Sequence, residues 1–199
     1  MQTSTPWVIV PVKSFRSAKQ RLASVLSAEE RHDLAAQLAG GVILAGSPWP
    51  VLVISGDDEV TRLATSLGAQ TIDDPAQGLN SAITAGVSHA RLAGASRVVI
   101  VHADLPHATA LPQRLGLNGL ADHEVLIVPD RHLSGTNVMS IPTAVAFSFH
   151  YGVGSFAQHL REAALHGLQV IERRDRQLAL DIDTPNDLAL WRATITTEH

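Results

Sequence analysis

Any chemistry in this chain has to come from a few polar residues placed where buried strands end. Val98–Val101 is an unbroken β-branched run that reads as a strand buried on both faces. It stops at His102-Ala103-Asp104, and Pro106 bars its continuation. A carboxylate is thereby delivered to the C-terminal edge of the central strand of a parallel sheet, where open α/β sheets hold ligands. Capping the next helix or turn is an equal alternative for Asp104. After the first strand, Lys13, Arg16, Lys19 and Arg21 fall within nine residues, with no acid before Glu29. Such a loop seats a polyphosphate or is simply solvated. Gly78 permits close backbone approach to a ligand. Asn80 can show its amide to a nucleobase or ribose, or serve as a plain N-cap. Gly152-Val-Gly-Ser155 is a second Gly-rich loop opening a helix, an anion seat of low specificity. Asp181 and Asp183 lie two apart on the last expected strand and so can face one centre together. Asp183 or Thr184 as a helix cap competes with that, and Asp187 is assigned to the helix dipole rather than to chemistry.

The elements that must position these residues alternate. Strands are expected at Trp7–Val12, Val51–Ser55, Ala69–Ile72, Val98–Val101, Glu124–Val128, Val138–Pro142, Leu168–Arg173 (an edge) and Leu178–Ile182. The capping box Ser27-Ala-Glu-Glu30 opens a helix with Leu34, Leu38, Val42 and Ile43 inward. Asp57 or Asp58 caps a short one closed by Gly68. Further helices are expected at Ser81–Leu92, loosely near Thr109–Leu117, at Phe156–Leu165, and from Thr184-Pro185 through Trp191. No repeat or low-complexity tract divides residues 1–199, so a single α/β domain is expected.

Composition narrows the function classes. A net charge of −4 speaks against a general nucleic-acid binder. The absence of cysteine excludes disulfides, thiolate zinc sites and a cysteine nucleophile, and suits a cytoplasmic protein. The first residues lack the basic-then-apolar pattern of a signal peptide, and the apolar runs fall far short of the roughly 20 residues of a membrane span. Ten histidines occur without H-E-x-x-H or similar metal spacing, and most read as surface residues.

Six motifs then occur in order: V-P-V-K-x-x-x-x-A-K-x-R-L at Val10–Leu22, G-L-N at Gly78–Asn80, A-D-L-P at Ala103–Pro106, P-D-R…G-T-N at Pro129–Asn137, G-x-G-S at Gly152–Ser155 and D-I-D-T-P at Asp181–Pro185. Together they span nearly the whole chain, which resembles the 2-phospho-L-lactate / phosphoenolpyruvate guanylyltransferase family of deazaflavin coenzyme (F-420) biosynthesis. The resemblance implies a Rossmann-like domain of the nucleotide-diphosphosugar-transferase type, with a mostly parallel mixed central sheet. It implies GTP as donor, a small phosphorylated carboxylic acid as acceptor and Mg²⁺ as cofactor. Asp104, Asp181 and Asp183 match the family's metal-binding aspartates. Thr136, Gly152 and Ser155 fall where the acid is held. Lys13, Lys19 and Arg21 fall in the loop expected at the GTP phosphates, and Gly78 and Asn80 in the one near the nucleoside. Asp104, Lys19 and Arg21 carry the catalytic expectation. His102 and His132-Leu-Ser134 depart from the commoner pattern near the expected acceptor site.

The implied reaction joins an acceptor phosphate oxygen to the α-phosphorus of GTP and expels pyrophosphate. Phosphoenolpyruvate is the first choice of acceptor and 2-phospho-L-lactate the second. A homodimer is expected by analogy only. The rivals are a guanylyltransferase acting on 3-phosphoglycerate, another nucleotidyltransferase, and a non-catalytic nucleotide-binding module that kept the fold.

Overall fold

The structure, a computed structural model, describes residues 5–197. Seven strands form one sheet: β1 (Trp7–Pro11), β2 (Val51–Ile54), β3 (Gln70–Ile72), β4 (Arg97–Val101), β5 (Glu124–Pro129), β6 (Thr136–Pro142) and β7 (Gln169–Glu172). Their spatial order is β3-β2-β1-β4-β6-β5-β7. The helices are α1 (Ala28–Ala45), α2 (Asp58–Ser66), α3 (Leu79–Leu92), α4 (Leu111–Leu115), α5 (Ser155–Leu165) and α6 (Pro185–Thr197). No helix among the described residues is long and apolar enough to cross a membrane.

β4 is central, as expected, and every one of its residues is buried. It is not part of a purely parallel sheet, however. It runs parallel to β1 and antiparallel to β6, while β5 pairs antiparallel with β6 and parallel with β7. The reason is local: the turn that joins β5 to β6 is too short for the crossover a parallel pair requires. The antiparallel register, Val101 opposite Val138, brings the start of β6 to the same edge as the end of β4.

The chain leaves β1 toward β2 and β3, then returns to β1's other side as β4. That reversal lies between β1 and β4, where the carboxyl ends of a doubly wound sheet open a crevice. The basic loop after β1 and the Ala103-Asp104 turn after β4 are therefore neighbours.

The apolar runs bury into a layer on each face. Val8, Val10, Val99 and Val101 pack with α1 and α2, while Ile9, Val98 and Ile100 pack with Ala82, Ile83 and Val87 of α3 and with Phe156 and Ala163 of α5. A third, smaller cluster joins Leu22 and Leu26 of the basic loop to Leu34 and Leu38 of α1, and to Ile182, Leu188 and Trp191. It fastens the basic loop to the Asp181–Asp183 segment.

The capping box at Ser27 and Glu30 forms, and Asp57 caps α2. One expected strand does not form. Leu178–Ile182 is turn and extended coil outside the sheet. The period-two burial that suggested a strand is present: Leu178, Leu180 and Ile182 are buried, with less buried residues between them. The segment instead crosses the ends of three strands. Ala179 O accepts from Arg131 N at 2.9 Å, Leu178 O from Asn137 Nδ2 at 3.0 Å, and Ile182 N donates to Asp104 O at 3.2 Å.

Candidate active site

Three acidic side chains remote in sequence meet at the β1/β4 crevice. Asp104 arrives on the turn after β4, and Asp181 and Asp183 on the segment crossing the strand ends. One carboxylate oxygen from each lies within 4.8 Å of the other two. The alternation argument put Asp181 and Asp183 on one side. That holds because the crossing segment keeps extended alternation, although it has no ladder.

Lys19 enters this cluster from the basic loop. Its Nζ donates to Asp104 Oδ2 at 2.7 Å and to Asp183 Oδ1 at 3.2 Å. Its side chain is almost fully buried, and its backbone is left-handed at φ 56°. That conformation disfavours a lysine and persists here because the Leu22 cluster holds the loop. Arg21 is exposed, with a guanidinium nitrogen 3.6 Å from Asp183 Oδ2. Lys13 lines the same cleft, of about 390 Å³, together with Leu79, His102, Asp104 and Asp183.

The electrostatics follow from these contacts. Burial opposes the charge on Lys19, but the two carboxylates outweigh it and raise the ammonium above its ordinary value. Burial likewise opposes ionisation of Asp104, and Lys19 beside it holds the carboxyl below the usual range. Among the described residues no cation pairs with Asp181. Burial, then the charges of Asp104 and Asp183, push its carboxyl up. Asp104 Oδ1 is buried without a hydrogen-bond partner. An all-oxygen donor set of clustered carboxylates, one atom orphaned and one acid raised by its neighbours' charge, fits a hard divalent cation.

The crossing segment is pinned from below. Asn137, beside Thr136 at the start of β6, holds Leu178 O and reaches Asp181 Oδ1 at 3.4 Å. Asp187, which sequence reasoning gave to the helix dipole, accepts from Asp183 N at 3.1 Å, from Thr184 N at 2.7 Å and from the Thr184 hydroxyl at 2.8 Å. Its other oxygen pairs with Arg131 at the end of β5. Asn137 and Arg131 stood inside the quoted motifs without a role. Their signal was position, at the start of β6 beside β4 and at the end of β5 beside β6, on the sheet edge where β4 ends.

Thr136, Gly152 and Ser155 are brought together beside this cluster rather than in the cleft. Thr136 N donates to Ser155 Oγ at 3.1 Å, and Ser155 N to Gly152 O at 3.1 Å. Gly152 has φ 135°, and Gly154 caps α5 in the left-handed region without a side-chain cap bond, so the loop presents backbone rather than side chains. Asn80 is not an N-cap: Gly78 is, and Asn80 lies inside the first turn of α3. Its amide is engaged by Tyr151, accepting from Tyr151 N at 2.7 Å and donating to Tyr151 O at 3.4 Å. It ties α3 to the loop before Gly152.

Known proteins share this arrangement's fold and sequence. The chain is 39% identical to a phosphoenolpyruvate guanylyltransferase of Conexibacter woesei, covering 97% of this chain and 90% of that protein. It is 30% identical to a 2-phospho-L-lactate guanylyltransferase of Methanocaldococcus jannaschii, covering 91% of this chain and 80% of that one. Its fold matches the crystal structure of a putative nucleotide-diphospho-sugar transferase from Desulfovibrio desulfuricans with a TM-score of 0.78 at 16% identity, over 95% of this chain and 87% of that one. With the guanylyl transferase CofC-like model matched over residues 6–191, the chain belongs to that family.

Proposed function

We propose that this protein transfers GMP from GTP to the phosphate of a small phosphorylated carboxylic acid, phosphoenolpyruvate first, and releases pyrophosphate. The observation that carries this reading is the meeting of Asp104, Asp181 and Asp183 with Lys19 at the β1/β4 crevice, in a chain of this family. Phosphoenolpyruvate is preferred because the relatives of higher identity carry that name. 2-Phospho-L-lactate is second, on the name of the archaeal relative.

The three carboxylates would hold a divalent cation, for which Mg²⁺ is the proposed occupant, and bound there it would neutralise the meeting polyanions. Everything else falls to the chain. The acceptor phosphate is mostly dianionic at neutral pH, since a phosphomonoester's second pKa is about 6. Its oxygen can therefore attack the α-phosphorus without a general base. Lys19 and Arg21, which pair with Asp183, would stabilise charge on the departing pyrophosphate, as would Lys13, which lines the cleft with Lys19. The Gly152–Gly154 backbone and the hydroxyls of Thr136 and Ser155 are the proposed seat of the acid.

The test is direct. The protein is incubated with GTP, Mg²⁺ and each acid separately, coupled to the enzyme that consumes the labile product, and the guanylylated compound is identified by mass spectrometry. Pyrophosphate release with phosphoenolpyruvate, lost by orders of magnitude in Asp104→Asn, is expected. Full Mg²⁺-dependent turnover in that variant would remove Asp104 from the reaction.

A further inference from the structure

Behind the proposed acid seat lies a histidine that no motif singled out. His159, on α5, is completely buried, with Tyr151 edge-on at 4.7 Å and Phe147 beside it. Its Nε2 lies 3.0 Å from the backbone N–H of His150, a group that can only donate. Nε2 must therefore be the acceptor nitrogen, and the ring's single proton sits on Nδ1. Nδ1 is 3.0 Å from Thr136 Oγ1 and so donates to it. Burial, then the neighbouring His150, lowers the imidazole to about 4, which agrees with a neutral ring of fixed tautomer.

The consequence passes to the hydroxyls. With a lone pair of Thr136 Oγ1 taken by His159, the Thr136 hydroxyl proton must turn elsewhere. Thr136 N–H in turn donates to Ser155 Oγ, so the Ser155 proton is also left to give. Neither hydroxyl proton has an acceptor among the described residues. Both protons stand at the first turn of α5, where Ser155 N already donates to Gly152 O and Phe156 N to Ser134 O.

We infer that His159 is a positioning residue for guanylyl transfer: its fixed Nδ1–H occupies a lone pair of the Thr136 hydroxyl and biases that hydroxyl to donate toward the anionic acid, as the Thr136 backbone N–H independently biases Ser155. This rests on the reading of Thr136 and Ser155 as the acid's seat, and adds what sets their polarity. A hydroxyl free to rotate would spend part of its time presenting a lone pair to an anion. The buried imidazole occupies one of the two lone pairs and so narrows that option before the acid arrives.

Asparagine and glutamine separate this role from mere filling of space. The amide of an asparagine falls near Nδ1 and can still donate to Thr136, whereas that of a glutamine falls near Nε2 and cannot. His159→Gln is expected to raise the KM for phosphoenolpyruvate at least about tenfold, the loss of one hydrogen bond to a charged group. KM for GTP should stay unchanged, and His159→Asn should remain within about threefold of wild type for both substrates. Adding His159→Gln to Thr136→Val should cost nothing further, because the residue through which it acts is already gone. Equal acid KM values in the two His159 variants, or parallel changes for GTP and acid, would overturn the inference. If His159→Gln does not fold, a tenfold rise in acid KM in a folded His159→Asn protein overturns it just as well. Thr136→Val separates the underlying reading: an unchanged acid KM there removes the acid seat itself, whereas a raised one with a silent His159→Gln removes only the histidine's part.

Discussion

The clasp beneath Asp183 should couple helix capping to metal affinity, and Asp187→Ala tests it. The substitution removes the acceptor for two backbone amides and one hydroxyl, and it strips Arg131 of its partner. Asp187 is 7% exposed and Arg131 26% exposed. Breaking a buried pair by deleting one partner costs about 3–5 kcal/mol, and the partly wet guanidinium places this one near the lower end, about 3 kcal/mol. Asp183 belongs to a segment with no strand ladder, and its own N–H is held by Asp187. Loss of the group that orients a metal ligand typically weakens metal binding about 10- to 100-fold. We expect Asp187→Ala to lose about 3 kcal/mol in urea unfolding and at least about tenfold in Mn²⁺ affinity, read by electron paramagnetic resonance on protein without nucleotide. Asp187→Asn keeps an acceptor for the amides and should show the smaller loss of both. If stability falls as expected while Mn²⁺ binds the Ala variant as it binds wild type, the clasp is only a helix cap and the coupling is refuted.

Other perturbations address the loop, the core and pH. Lys19→Ala should lower kcat/KM for GTP at least about tenfold, on the scale of a charge-assisted hydrogen bond, and unchanged GTP kinetics would return Lys19 to a structural role. Glu162 accepts from Ser148 N and pairs with His166 and His150, which hold its carboxyl down to about 2. A depressed acid stabilises above its unfolded value and loses that contribution as pH falls through the folded one, so Glu162→Gln should cost up to about 3 kcal/mol at pH 6 and progressively less from about pH 4.5 to pH 2, measured by urea unfolding at each pH. A penalty that does not shrink with acidity would contradict the assignment. Gly86 packs α3 on the sheet, where an added Cβ would stand 2.5 Å from Ile54 Cδ1 and 3.0 Å from Ile9 Cγ2. Gly86→Ala should therefore destabilise by about 1–2 kcal/mol, overpacking exceeding the gain in helix propensity, and a rise in melting temperature would show that Ile54 moves freely.

The β-branched runs made most of the sheet legible, because a short buried apolar run between turn signals has few other uses. Strand direction was less visible in those runs, since β6 is buried throughout whichever way it points. The clue lay in the short connection before it, within hairpin range. Leu178–Ile182 shows the opposite limit. Its alternation reports only that one side of an extended segment is buried, and strand ends can bury it as well as a sheet face can. His159 escaped notice because a polar residue inside a helix ordinarily faces water. Its place on one stripe with Phe156 and Ala163, both buried, was the available sign. Asn80 could be read as a cap or as a nucleotide contact. Its tie to Tyr151 depends on the return of a loop 71 residues away, which local reasoning cannot supply.

What unites the site is a charge balance that neither the acids nor the basic loop sets alone. Asp104, Asp181 and Asp183 are drawn together by backbone held from several sides: Ile182 N on Asp104 O, Asn137 on Leu178 O, and Asp187 on Asp183 N. Such restraint is needed because like charges at this separation repel, and burial first, then that repulsion, raises the carboxyl of Asp181. One buried ammonium, Lys19, offsets one of the three negative charges and takes the side of Asp104 and Asp183. Arg21, exposed and 3.6 Å from Asp183, offsets that acid only weakly, so negative charge remains for a cation to meet. The orphaned Asp104 Oδ1 and the uncompensated Asp181 mark the side from which that cation is called for. Lys19 thus holds the Asp104 carboxyl down and aligns Asp104 with Asp183 while leaving Asp181 aside, an asymmetry that would suit a divalent cation at the crevice.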